Sequence, residues 1–194
     1  EERCITEIPI VPELKRHKRN NPRASFDDDD YKLYLKTTRE IINNKVEVKG
    51  RPITKHDYYL PLFLVHTFQR PILTELYANK ISDITIKDNP KRLEIKVFNG
   101  KTGYRTIHTM PQAVDFFIKL KEMYDYKKDD YLFYPYYKSH RETAVRRFQM
   151  IFNLVADKCN LKNVKGLVDV FGNPLKRTPY AFRHYGIQLR LRNS

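Results

Sequence analysis

Three short segments of the chain alternate apolar and polar residues with a period of two, and they limit the folds open to it. They are DITI (83–86), RLEIKVF (92–98) and YRTIHTM (104–110), and this period is typical of strands with one buried face. The last two flank NGKTG, in which Asn99-Gly100 is the strongest short signal for a hairpin. We therefore expect a small antiparallel sheet with Lys101 at a hairpin tip.

The rest of the chain has mostly helical patterns. Ser25 and Asp28 have the spacing of a capping box, so we expect the aspartates at 27–30 to cap a helix rather than to bind a cation. Thr178 suits an N-cap and Pro179 the first helical position, which predicts a last helix starting there. Further helices are predicted for 57–69 with its continuation 70–80, broken or kinked at Pro61 and Pro71, for 111–124 and for 142–159.

These patterns predict one mainly α domain with a small antiparallel β-sheet, an α+β fold, over residues 25–194. Residues 1–24 contain three prolines and the basic run KRHKRN (15–20), which is typical of a linker or extended arm. The length of 194 residues suits one such domain with a real core. Apolar residues at helical spacing are expected in that core: Val114, Phe117, Ile118, Met123, Val145, Phe148, Ile151, Phe152 and Val155.

The charge balance is the most informative part of the composition. The chain has 37 lysines and arginines against 23 aspartates and glutamates, a net charge of +14. Such an excess attracts a polyanion, most often nucleic acid, although a membrane surface or no polyanion at all are alternatives. No apolar run reaches the roughly 18 residues of a membrane span. We therefore expect a soluble protein. Because two cysteines allow neither a disulfide framework nor a four-cysteine zinc site, we also expect it in the reducing cytoplasm.

Five side chains stand out because each can donate hydrogen bonds from an unusual position. Arg70 adjoins a strongly apolar segment, where an arginine needs an anionic partner, and Lys101 lies at the hairpin tip. Tyr180, Arg183 and His184 are three and four residues apart, on one face of the last helix. Together these groups could surround one phosphate. Taken singly, each also has a structural interpretation, as an ion-pair member, a solvated turn residue or a core residue.

Other chemistries lack their sequence motifs. HExxH, paired Cys/His spacing and an EF-hand loop are missing, as are the nucleotide-binding GxxxxGK[ST] and the hydrolase elbow GxSxG. The sequence therefore indicates a basic site that acts on phosphate without a metal or another cofactor.

The order of these features resembles the tyrosine recombinase (phage integrase) family. LFLVHTFQRPILTELYANKISDI (62–84) resembles its first box, in which an arginine on an apolar helix precedes an acidic residue and a strand. RLEIKVFNGKTGYRTIHTM (92–110) resembles the hairpin that carries the family's catalytic lysine. RTPYAFRHYGIQLRL (177–191) resembles the second box, in the Tyr-x-x-Arg form of some branches. The resemblance covers roughly 25–194 and implies the family's catalytic-domain fold.

The resemblance implies roles for the singled-out residues. Arg70 and Arg183 would grip the scissile phosphate and stabilise its transition state. Lys101 would act as general acid on the departing 5′ oxygen. Tyr180 stands where the family usually has histidine and would orient the phosphate by a hydrogen bond, since a phenol is a poor base at neutral pH. His184 would transfer protons or serve the structure.

Two further residues follow from the same resemblance. The family's acidic residue usually lies three positions after the first arginine, where this chain has Leu73, so Glu75 is the nearest candidate for that role. Arg177, at the start of the second box, is expected to contact DNA together with Arg70, Lys101 and Arg183.

The family's nucleophilic tyrosine follows the second box, whereas this sequence ends at Ser194. The resemblance therefore implies a catalytic domain without its C-terminal helices, which binds duplex DNA but does not cut it. The intact protein would recombine or integrate DNA as a tetramer, without cofactors, in the cytoplasm of a bacterial or phage-infected cell. The alternatives are a non-catalytic DNA-binding module and a basic RNA-binding protein.

Overall fold

A computed structural model describes residues 24–101, 103–169 and 171–192. The linker predicted for 1–24 lies outside these residues except for Ala24. The described elements, in chain order, are helix α1 (Asp28–Asn43), strands β1 (Glu47–Val48) and β2 (Arg51–Pro52), helix α2 (Lys55–Thr67), strands β3 (Ile84–Asp88), β4 (Lys91–Gly100) and β5 (Gly103–His108), helices α3 (Gln112–Lys121) and α4 (Arg141–Lys158), strands β6 (Asn163–Val168) and β7 (Pro174–Lys176), and helix α5 (Tyr180–Arg192). The architecture is helical with small antiparallel sheets, which confirms the predicted fold class.

Helix α1 begins with the run of aspartates, as predicted, but its N-cap is Asp27 rather than Ser25. The Asp27 carboxylate accepts a hydrogen bond of 2.7 Å from the amide of Asp30, and three aspartates occupy the first turn. Carboxylates are stabilised there by the positive end of the helix dipole. Ser25 instead donates to the side chain of Gln188 in α5. The described residues contain no group of three His, Cys, Asp or Glu side chains that could hold a metal ion.

Helix α2 ends at Thr67, so the predicted helical continuation over 70–80 is wrong. Phe68 has the left-handed conformation (φ 57°), which terminates the helix. Pro71 then disfavours the helical conformation at Arg70, because the proline ring clashes with the preceding residue. The chain turns tightly, and its next regular element is a single 3-10 turn at Leu76–Ala78. Pro61 lies inside α2 without ending it.

Strands β3, β4 and β5 form one antiparallel sheet in that order, which confirms the prediction from the period-two segments. Gly100 pairs with Gly103, so the hairpin turns at Lys101 as expected. Asn99 and Gly100, predicted as the turn, belong to β4 instead. The register shifts just before Gly100, where β4 carries one residue more than β5, and this bulge moves the turn along the chain.

Two further two-stranded sheets, β1–β2 and β6–β7, were not predicted from the sequence. Their strands are two to six residues long and mostly exposed, so they lack a clear alternation of apolar and polar residues.

The core between α1, α4 and α5 is rich in aromatic rings. The ring centre of Phe182, in α5, lies 5.0 Å from that of Phe26, 5.0 Å from that of Tyr34 and 5.6 Å from that of Phe152. All four side chains are at most 2% exposed. Burying rings of this size is a large part of what holds α5 against the domain.

The two helices α3 and α4 follow their predictions with one correction. Phe148, Ile151, Phe152 and Val155 of α4 are buried as expected, while Val145 is partly buried. In α3, Val114 and Phe117 are buried and Met123 packs on the core, but Ile118 is 42% exposed. The buried residues of α3, Ala113, Val114, Phe117 and Leu120, centre on another side of the helix, which leaves Ile118 at the edge of the buried stripe.

No helix in the described ranges is both long and apolar enough to cross a bilayer.

Helix α5 contacts α2 so closely that Gly186 has no room for a side chain. A Cβ atom at Gly186 would lie 2.1 Å from the carbonyl oxygen of Val65, which is part of the α2 backbone and cannot rotate away. We expect Gly186→Ala to lower the free energy of unfolding by about 2–3 kcal/mol, although alanine is the better helix former. Chemical denaturation of this variant would measure the loss.

Leu191→Ala is the matched control for Gly186→Ala, because Leu191 lies on the same helix and is 73% exposed. We expect this change to alter stability by about 0.5 kcal/mol or less. Equal stability of the Gly186→Ala variant and the unmodified chain would contradict the close contact between α2 and α5.

Candidate phosphate-binding site

The five side chains singled out in the sequence line one cleft with a volume of about 400 Å³. The lining residues are Arg70, Ile72, Lys101, Tyr180, Arg183, His184 and Ile187. They come from three places in the chain: the turn after α2, the β4–β5 loop and the first two turns of α5. Three of them are lysine or arginine and none is acidic, so the cleft suits an anion.

The packing of α5 on the core explains how it presents its polar residues. The helix begins at Tyr180, one residue after the predicted start at Pro179. Phe182 is fully buried and Tyr185 is 5% exposed, so these rings fix one face of α5 against the core. Tyr180, Arg183, His184 and Ile187 recur at helical spacing on another face, which lines the cleft.

Arg183 is a charged residue held in a partly desolvated place. Burial, together with the positive charges of Arg70 and Arg105, lowers the pKa of its guanidinium below the ordinary value. Its Nη1 atom is buried and has no hydrogen-bond partner among the described residues. A buried cationic donor without an acceptor destabilises a fold, so an anion that enters the cleft would gain a strong, charge-assisted hydrogen bond.

Arg70 is held in place by Glu75. Arg70 Nη1 donates to Glu75 Oε1 at 2.6 Å, and the Arg70 amide donates to Oε2 at 3.1 Å. The Glu75 side chain is 0% exposed, whereas that of Arg70 is 21% exposed. Glu75 therefore does not line the cleft; it fixes the guanidinium that does.

The ionised form of Glu75 is strongly favoured. Burial alone would raise the pKa of its carboxyl group, but the hydrogen bonds from Arg70 and from Arg105 outweigh burial and hold the pKa below its ordinary value. Two arginines and one backbone amide thus share one carboxylate, which stays charged at neutral pH.

Arg105 was missed by the sequence analysis. It lies on β5, and its Nη2 donates to Glu75 Oε2 at 2.7 Å. The signal was present in YRTIHTM, because the alternation that turns Ile107 inward turns Arg105 inward too. An arginine on the inner face of a strand requires an acidic partner, and here that partner is Glu75.

The other polar groups of the cleft are more open to solvent. Lys101 is exposed in the β4–β5 loop, and Tyr180 is 37% exposed. The rings of Tyr180 and His184 are 6.4 Å apart, one helical turn from each other on α5. A hydroxyl, an imidazole and an ammonium group therefore border the same space as the two guanidiniums.

Arg177 is placed differently from the other candidates. It is 7% exposed and does not line the cleft. Its guanidinium donates to the backbone oxygens of Ser25 and Leu161 at 2.8 Å each, and to the carboxylate of Asp30 at 2.5 Å. These contacts join the segment before α5 to the start of α1, so Arg177 serves to hold these parts of the fold together.

Comparison with known proteins bears on the fold. The chain matches no protein-family model and no curated protein sequence. Among solved structures, it is similar to the XerA recombinase, with a TM-score of 0.56 and 19% identity over 89% of this chain. It is also similar to the XerH site-specific recombinase bound to difH substrate, before and after cleavage, each with a TM-score of 0.50 and with 15% and 17% identity over 88% and 93% of this chain.

The chain has the fold of a tyrosine recombinase catalytic domain. It spans about half the length of the recombinases that it matches, between 44% and 52% of their chains. At identities of 15–19% the similarity concerns the fold, and the function of this recombinase-like domain has to be argued from its own cleft.

Proposed function

We propose that this domain holds the scissile phosphate in a site-specific DNA recombination reaction of the tyrosine recombinase type. One observation supports this more than any other: five donor groups from three separate parts of the chain line one cleft that has no acidic lining residue.

The proposed chemistry is an exchange of phosphate esters. A tyrosine hydroxyl releases its proton to solvent and its oxygen attacks the phosphorus, the bond from phosphorus to the 5′ oxygen breaks, and the products are a 3′-phosphotyrosyl link and a 5′ hydroxyl. Arg70 and Arg183 bind the non-bridging oxygens, whose negative charge increases in the transition state. Lys101 gives the departing 5′ oxygen its proton. The phosphotyrosyl ester conserves the energy of the bond, so the later rejoining consumes no nucleotide.

Tyr180 is proposed to hold the phosphate rather than to attack it. It is the one tyrosine that lines the cleft among the 14 of the chain, all of which are described. It stands four residues before His184 and three before Arg183, so its hydroxyl can donate to the oxygens that Arg183 binds. The attacking tyrosine is then supplied by a part of the intact protein beyond the second box.

The substrate we propose is double-stranded DNA. A net charge of +14 supplies long-range attraction to the phosphate backbone, and binding should weaken steeply with salt. XerH is bound to its difH substrate in the structures that resemble this domain. We propose the same class of ligand here, with a tetramer of intact protomers on DNA as the working assembly and the cytoplasm as its place. Integration of a phage or another mobile element is one reaction of this kind.

The test is a covalent trapping experiment with the full-length protein. It is incubated with a nicked duplex that carries its recombination site, so that the released strand diffuses away and the adduct accumulates. We expect a protein–DNA adduct on a denaturing gel for the unmodified protein. Tyr180→Phe should still form the adduct, about tenfold more slowly, because one hydrogen bond to the phosphate is lost.

Each alternative predicts a different result, either in this experiment or in a competition assay. Tight binding to the duplex without any adduct would support a non-catalytic DNA-binding module. Loss of the adduct in Tyr180→Phe with unchanged binding would make Tyr180 the nucleophile and contradict its proposed role. Preference for single-stranded RNA over duplex DNA in a competition assay would support the RNA-binding alternative.

A further inference from the structure

Arg105 links two parts of the cleft that are far apart in the sequence. It lies on β5, two residues after Gly103, where the strand leaves the loop that carries Lys101. Through Glu75 Oε2 it is joined to the turn after α2, and the other oxygen of the same carboxylate binds Arg70. The side chain of Glu75 is 0% exposed, so this connection is shielded from water. Shielding makes a charged hydrogen bond stronger and its geometry better defined.

Gly100 leaves the space that Arg105 occupies. A Cβ atom at Gly100 would lie 2.6 Å from Arg105 Nη1, 3.2 Å from the backbone oxygen of Gly103 and 3.2 Å from the side chain of Val97. The guanidinium of Arg105 therefore passes directly beside the last residue of β4, at the bulge before the loop. This contact couples the guanidinium to the backbone on the other side of Lys101.

Arg105 itself is not among the lining residues of the cleft, and its side chain is 27% exposed. It is thus placed to act through its neighbours rather than on a bound phosphate. Arg105 is linked to both strands that flank Lys101. It is a residue of β5, and its guanidinium lies beside Gly100, the last residue of β4.

We propose that Arg105 is a positioning residue that, through its bond to Glu75, holds the β4–β5 hairpin so that Lys101 reaches the departing 5′ oxygen. This inference rests on the proposed function of the cleft. The contact is anchored in the fold by a buried carboxylate, and a side chain at Gly100 would shift the guanidinium from its position.

The test separates proton donation from phosphate binding by changing the leaving group. Two nicked duplexes are compared, one with the natural 5′ bridging oxygen and one with sulfur in its place. A thiol has a pKa of about 8.5 and leaves as an anion, so the second substrate does not require a proton donor. For Arg105→Ala we expect the rate of adduct formation to fall roughly 100-fold on the oxygen substrate. On the sulfur substrate the rate should be close to that of the unmodified protein.

Three further variants make the comparison specific. Lys101→Ala should show the same rescue by sulfur, since it removes the proton donor itself. Gly100→Ala keeps every charged group and should reproduce the Arg105→Ala pattern. Arg105→Lys keeps one positive charge near Glu75 and should recover part of the rate. Thermal unfolding of each variant shows whether it is folded, and should Arg105→Ala fail to fold, Gly100→Ala and Arg105→Lys carry the same test.

The outcomes distinguish this inference from the proposed function. Equal losses on both substrates would overturn it, because the defect would then lie in phosphate binding or in folding. An unchanged rate for Arg105→Ala on the oxygen substrate would overturn it too. Absence of an adduct from the unmodified protein on both substrates would instead contradict the proposed function.

Discussion

Replacing Arg183 by alanine should reduce adduct formation by the full-length protein roughly 10³-fold, while its affinity for duplex DNA falls about tenfold or less. The reason is the position of its guanidinium, which is partly desolvated and carries a buried Nη1 without a partner in the described residues. Such a donor interacts most strongly with the extra negative charge of the transition state, whereas ground-state binding uses many phosphate contacts.

The same substitution should leave the fold intact. Burial and the charges of Arg70 and Arg105 disfavour the charged form of Arg183. Replacing Arg183 by alanine removes this repulsion, and the domain loses only some packing contacts. We expect the free energy of unfolding to change by no more than about 1 kcal/mol, as is common for residues whose placement serves function rather than stability.

Single-turnover cleavage and binding titrations on the same DNA would measure the two effects on Arg183→Ala. Arg146→Ala is the matched control: it also replaces an arginine by alanine, but the side chain is 78% exposed and outside the cleft. It should bind slightly more weakly and cleave at the normal rate. Equal losses of affinity and cleavage rate in Arg183→Ala would show that the residue stabilises substrate and transition state alike.

Replacing Glu75 by glutamine should destabilise the domain by about 3–5 kcal/mol. The substitution leaves Arg70 and Arg105 in contact with a neutral amide, in a place where the carboxylate is 0% exposed and accepts hydrogen bonds at 2.6 and 2.7 Å. Two partly desolvated arginines would then lose the negative charge of this carboxylate, and Arg183 nearby adds a third positive charge. Denaturant unfolding at pH 7 would measure the loss.

Glu75 should also contribute to the loss of stability in acid. Its pKa is lower in the folded chain than the ordinary value of 4.5, so its contribution is present above that pH. The contribution is lost as the pH falls from 4.5 towards the folded-state pKa, because the unfolded state takes up a proton in that range while the folded state stays ionised. The difference in stability between the unmodified chain and Glu75→Gln should therefore be largest at neutral pH and shrink below pH 4.5.

Glu142→Gln provides the control for Glu75→Gln. Glu142 also pairs with an arginine, but the two side chains are 72% and 78% exposed and 3.4 Å apart. Exposed pairs contribute little, so this change should cost about 0.5 kcal/mol or less. A comparably small effect of Glu75→Gln would mean that the carboxylate is not required to hold the two arginines.

Local patterns in the sequence predicted the main helices and the β3–β5 sheet, and they singled out five residues that line one cleft. The period of two in RLEIKVF and YRTIHTM predicted β4 and β5, and the capping residues before α1 and α5 predicted their starts within a few residues. These signals are local because alternation and capping depend on neighbouring residues only. The same local signals failed after α2, where a left-handed Phe68 and Pro71 end the helix that hydrophobicity favoured.

What the sequence by itself determined was the class of fold, the basic character of the protein and a list of candidate residues for phosphate binding. The tertiary structure alone decided how these residues are used. It placed Arg70, Lys101 and Arg183 around one cleft, made Glu75 the buried partner of Arg70 and Arg105, and used Arg177 inside the fold. The physical reason is that burial, and pairs such as Arg105–Glu75 and Arg177–Asp30, arise between segments distant along the chain, so no short window of sequence contains both partners.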